Sequence, residues 1–126
     1  KKAIHTKDES INFYHNANST MNSTMAVVEN LPKIKETVEG IRFDTFVEQE
    51  KIEKIDFLKL DIEGSECAVI ASESFQNIVP KLEALVVEYH QWSGVNPQQL
   101  VTTLRDYGYL VKQIPSEATI LSAVKP

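Results

Sequence analysis

The sequence has one cysteine, Cys67, so it can close no disulfide within the chain and offers no cysteine-based zinc site. Glycine is almost as scarce. Gly40, Gly64, Gly94 and Gly108 are scattered, and none belongs to a glycine-rich loop of the kind that cradles a phosphate or dinucleotide. No run approaches the roughly 18 apolar residues of a membrane-spanning helix, and no charged-then-apolar leader opens the chain. A cytoplasmic location is the expectation from those two absences. Positive charge is in deficit: 13 Lys and Arg against 18 Asp and Glu leave a net charge of −5. That balance argues against a nucleic-acid or anionic-membrane partner. No segment repeats, which excludes a solenoid.

What is present suits one soluble globular domain. The chain has 126 residues, of which 42% are hydrophobic, 25% charged and 8% aromatic. Lys2 to His5 and Ile11 to His15 read as two short strands around a polar turn. Asn16 to Thr24 is a long Asn/Ser/Thr-rich loop. It holds two glycosylation-type triplets, Asn18-Ser19-Thr20 and Asn22-Ser23-Thr24, which such loops produce readily by chance. Glu36 to Phe43 reads as a strand, and Asp44 can cap a short helix through Glu50. Ile55 to Ile62 is a nearly continuous apolar run, as in a strand covered on both faces. Gly64-Ser65 breaks it, and Ser65 can cap a helix carrying Cys67, Val69 and Ile70. A further helical turn carries Phe75 and Ile78. Ala84 to Tyr89 is a second buried strand. Asn96-Pro97 starts a helix with Leu100, Val101, Leu104 and Tyr107 on one face, and Gly108 ends it. Tyr109 to Ile114 and Thr119 to Val124, joined across Pro115-Ser116-Glu117, read as an antiparallel pair.

Alternating strands and helices of this kind predict an α/β fold: a mostly parallel, doubly wound sheet with an antiparallel strand near its C-terminal edge. Ligands of such sheets bind beyond the carboxyl ends of the strands. The informative residues are then those after Ile62 and after Tyr89. Asp61, Glu63 and Glu66 group at the first exit, with Lys59 on the same strand face as Asp61. A buried Lys and Asp are costly unless paired or functional. The carboxylates can bind a divalent cation, orient a hydroxyl or hold a cationic cofactor. Glu66 is also explained by the helix dipole, which favours acids in a first turn. At the second exit, Glu88 and His90 share a face and would emerge beside Asp61 if the two strands are neighbours. A histidine next to a carboxylate is a candidate general base. His5 and His15 have no ligand-type spacing to a partner and read as surface or structural. Cys67 reads as core.

Lys59-x-Asp61-x-Glu63-Gly64-x-Glu66, with Phe43-Asp44-Thr45-Phe46 before it and Glu88-x-His90 and Tyr107-Gly108-Tyr109 after it, resembles the signature of the FkbM-type methyltransferases. The opening Lys2-Ala3-Ile4 and Ile11-Asn12-Phe13-Tyr14 resemble the middle of that domain, so the likeness runs over nearly the whole chain. It implies a class I, S-adenosylmethionine-dependent enzyme that methylates hydroxyl oxygens of sugars or secondary metabolites, on a seven-stranded doubly wound sheet. The implied catalytic residues are Asp61, Glu88 and His90, with Lys59, Glu63 and Glu66 positioning substrate or an ion. A divalent metal is compatible with that set and not required by it. In the family the donor is held by a glycine-rich loop and an acidic residue, both upstream of the part this chain matches. The chain is thus expected to be the C-terminal portion of a domain, with no confident donor-binding residue of its own and inactive alone. The alternative is a truncated, non-catalytic module that serves oligomerisation or partner binding, since an incomplete sheet would expose a strand edge.

Overall fold

The computed structural model describes residues 1–15, 34–114 and 119–126. The Asn16 to Thr24 loop, with its two glycosylation-type triplets, and the Pro115-Ser116-Glu117 connection lie outside the described residues.

The described residues form two sheets. The first has the order β1-β3-β2, built from β1 (Lys2–His5), β2 (Ser10–His15) and β3 (Ile34–Arg42). Strand β3 pairs parallel with β1, with Ile4 opposite Ile41, and antiparallel with β2, with Ile11 opposite Val38. Gly40 is needed where β3 passes the β1–β2 turn: its N–H donates to the Glu9 carbonyl at 2.8 Å, and a Cβ there would lie 2.8 Å from that same oxygen.

The second sheet has the order β4-β5-β7-β6, from β4 (Leu58–Leu60), β5 (Ala84–Glu88), β6 (Leu110–Gln113) and β7 (Ile120–Val124). Strands β4 and β5 are parallel, and β7 runs antiparallel to both β5 and β6. Helices α1 (Phe43–Gln49), α2 (Glu66–Ile70) and α3 (Glu73–Ile78) are short, and α4 (Pro97–Asp106) is the longest at ten residues. The core gathers Phe43, Phe75, Ile70, Leu85, Val87, Leu104 and Leu121 between these helices and the second sheet.

This architecture corrects the expected mostly parallel, doubly wound sheet. Among the described residues there are two small mixed sheets, and three of their five strand pairings are antiparallel. Parallel neighbours need a crossover, whereas β2 folds back on β3 and β7 returns between β5 and β6. The antiparallel β7 lies one strand in from the edge strand β6.

The strand predicted over Ile55 to Ile62 is also corrected. Only Leu58–Leu60 is a strand; Ile55 makes a single bridge to Leu82. It is covered on one face only. Leu60 is buried, while Phe57, Lys59 and Asp61 on the opposite face are exposed, Phe57 to 60%.

Candidate functional site

The parallel register that sets Leu60 opposite Val87 brings the exits of β4 and β5 side by side. Beyond β4 the chain turns through Asp61, Ile62, Glu63 and Gly64. Glu63 has φ 52° and Gly64 has φ 102°, so two successive residues are left-handed. That region is sparsely populated for any residue but glycine.

Glu66 holds this turn. It occupies the first turn of α2, but its side chain folds back toward β4 and is wholly buried at 0% exposure. Oε1 accepts the Ile62 N–H at 2.9 Å and the Gly64 N–H at 3.1 Å, and Oε2 accepts the Gly64 N–H at 3.0 Å. A buried carboxylate is tolerated when its lone pairs are met in this way. The helix-dipole reading of Glu66 is therefore incomplete: this carboxylate builds the turn that precedes its own helix.

Beyond β5, His90 lies two residues past the strand end and opens a short 3-10 turn over Gln91–Ser93. Its Nδ1 is 3.0 Å from Glu66 Oε1, and its Nε2 is 3.3 Å from Glu63 Oε2. The Trp92 ring packs against the imidazole at a centroid distance of 5.6 Å. Glu63 and His90 are partly buried, Asp61 exposed.

Donor atoms of Asp61, Glu63 and His90 all lie within 4.8 Å of one another, so this trio could hold a divalent cation. Asp61 is also bound by Lys59, Nζ to Oδ2 at 2.7 Å. That bond, reinforced by the Asp61 charge and more weakly by Glu88, raises the Lys59 ammonium above its ordinary value.

Five of the six candidate residues thus meet: Lys59, Asp61, Glu63, Glu66 and His90. The expectation that Lys59 and Asp61 are buried is corrected. They are paired, but they sit on the uncovered face of β4. Glu88 shares the sheet face of Lys59 and acts on its charge, while both ring nitrogens of His90 face Glu63 and Glu66 instead. The expected pairing of Glu88 with His90 is replaced by Glu66–His90.

A cavity of about 480 Å³ lies between α2 and α4, below the two exits. Gly64, Ser65, Cys67, Asn96, Gln99 and Thr103 are among its lining residues, and among the described residues no Asp, Glu, Lys, Arg or His lines it. Cys67 is half-buried there, and burial, with the Glu66 charge, pushes its thiol up to about 11. Gln99 and Thr103 carried no sequence signal beyond their place on the polar side of a helix. His5 ends β1, and its Nδ1 accepts the Lys7 N–H at 3.4 Å. No helix among the described residues is long and apolar enough to cross a membrane.

No curated protein and no solved structure matches the chain. The model of the methyltransferase FkbM domain matches residues 2–111, from the first strand into β6 and across both exits. On that match, the chain belongs to the FkbM methyltransferase family.

Proposed function

We propose that the protein methylates a hydroxyl oxygen of an uncharged small molecule, such as a sugar or secondary metabolite, and that this chain carries the acceptor side of the reaction. The observation that carries this reading is the histidine at the strand exits, braced from behind by the buried Glu66 carboxylate. S-adenosylmethionine is the proposed donor and supplies an electrophilic methyl group. The described residues do not match its binding site. Gly40 lies within a strand, Gly64 in the Glu66 turn, Gly94 in a loop and Gly108 after a helix, so no glycine-rich turn follows a strand among them.

The chain's own residues handle the acceptor. An alcohol oxygen must lose its proton as it is methylated. With Nδ1–H turned to Glu66, His90 Nε2 presents the lone pair that takes that proton. The O–H bond breaks and its electron pair stays on oxygen. The proton on Nε2 then finds Glu63 Oε2 as its acceptor. Asp61, fixed by Lys59, is placed to orient the hydroxyl. The uncharged cavity between α2 and α4 suits the body of a neutral acceptor.

Calorimetric titration of the gene's full product with S-adenosylmethionine tests the cofactor assignment. Saturable binding is the expected result, and its absence would remove the catalytic reading. The second reading, a non-catalytic assembly module, is favoured by one observation: β4 is an edge strand with Phe57 exposed beside it. A monodisperse oligomer in light scattering, lost on Phe57→Ser, would support it.

A further inference from the structure

We propose that Glu66 is the positioning residue of this site, a single buried carboxylate that fixes the tautomer of His90 and the shape of the turn carrying Asp61 and Glu63. The proposal rests on the reading of His90 as proton acceptor and extends it to a residue that touches no substrate.

Proton accounting leads to it. An ionised carboxylate only accepts hydrogen bonds. Glu66 already accepts from the Ile62 and Gly64 N–H groups, so the His90 nitrogen 3.0 Å away must also be a donor. In a neutral imidazole one nitrogen donates and the other accepts. Glu63 Oε2 is an acceptor too, but it lies 3.3 Å from Nε2 against 3.0 Å from Glu66 Oε1 to Nδ1. In the neutral ring Nδ1 therefore carries the proton and Nε2 keeps the lone pair, on the side where Asp61 and Glu63 converge. The Glu63 contact becomes a hydrogen bond only once Nε2 is protonated. The bond made by one ring nitrogen sets the state of the other.

The same oxygen acts on the other loop. Its grip on the Ile62 and Gly64 N–H groups holds Glu63 in its left-handed conformation, which sets Glu63 Oε2 opposite His90 Nε2. Glu66 is thus the common anchor of the loops after β4 and β5, and it orients both partners of the proton at once.

Glu66→Leu keeps roughly the size and removes the acceptors. The oxygen that faces His90 Nδ1 is the same Oε1 that accepts the Ile62 and Gly64 N–H groups, so the substitution takes the Glu66 acceptor away from Nδ1. Glu63 Oε2, 3.3 Å from Nε2, is then the carboxylate that faces the ring, and it draws the proton of the neutral ring to Nε2, where the lone pair was.

Nitrogen-15 spectra of the histidine rings read this directly, with His90 assigned by its loss in His90→Ala. The neutral His90 ring of the wild-type chain is expected to be protonated at Nδ1, and that of Glu66→Leu at Nε2. A wild-type ring protonated at Nε2, or one protonated on both nitrogens throughout the stable pH range, would overturn the proposal. The wild-type spectrum decides this even if the variant does not fold. In the methylation assay, Glu66→Leu is expected to lower kcat by about 10²- to 10⁴-fold with KM little changed, the pattern of a wrong tautomer. A folded variant with unchanged kcat would also overturn it. The spectrum needs no methyl donor, so it tests the role of Glu66 independently of the transferase reading.

Discussion

Asp44 shows how far a residue's role can depend on distant partners. Arg42 binds it twice, at 2.9 and 2.7 Å, and Asn77 donates to it at 2.8 Å. The Arg42 hydrogen bonds hold its carboxyl well below the ordinary carboxylate range against the opposing effect of burial. A carboxylate with a lowered folded-state pKa stabilises the fold above its unfolded value, here near 3.8, and loses that contribution as pH falls below it. Asp44→Asn is expected to cost about 2 kcal/mol at neutral pH. The difference from wild type should shrink in urea titrations well below pH 3.8. A gap that stays constant with pH would refute the ion-pair explanation. Cys67 gives a second residue-scale prediction. A thiol raised from 9.0 to about 11 has little thiolate at neutral pH. Its alkylation by iodoacetamide should run about 10²-fold slower than that of a free cysteine, by the ratio two pKa units imply.

Elements differ in how local their causes are. Helix α4 was legible because its signals are adjacent: the Asn96 side chain accepts from Gln98 and Gln99 N–H, Pro97 follows, and Gly108 with φ 90° closes the end. Helix α1 was legible in extent but not in cause. Its N-cap is Arg42, which makes no side-chain cap bond. Ser74 Oγ, 31 residues away in α3, accepts the Phe43 N–H at 2.7 Å and the Asp44 N–H at 3.2 Å. No local pattern reports a cap supplied from another helix. Ser74→Ala is expected to destabilise the protein by about 1–2 kcal/mol, seen as a lower urea midpoint. An unchanged midpoint would show that α1 needs no such cap. The site was legible in the same uneven way. Asp61, Glu63 and His90 follow from strand exits, a rule of position. Glu66 as a buried anchor does not, because the backward fold of its side chain depends on a left-handed turn formed three residues earlier.

At the scale of the molecule, the order of strands and helices along the chain was readable, and the sheet was not. Alternation of elements does not say where a returning strand inserts, and β7 enters between β5 and β6 in reverse. The two sheets are also unequal. Leu85, Val87, Leu121 and Ala123 of the second are almost fully buried, whereas the first sheet's buried side chains are Val38 and Ile41 of β3. Amide hydrogen exchange should therefore be slowest in β5 and β7 and faster in β1 and β2. Equal protection across both sheets would contradict this ranking. The central claim concerns His90, and one assay addresses it directly: transfer of labelled methyl from S-adenosylmethionine to a neutral hydroxylated acceptor by wild type and His90→Ala. A fall in kcat of about 10²- to 10⁴-fold, partly restored by added imidazole, is the predicted result. Unchanged turnover in a folded His90→Ala protein would contradict it.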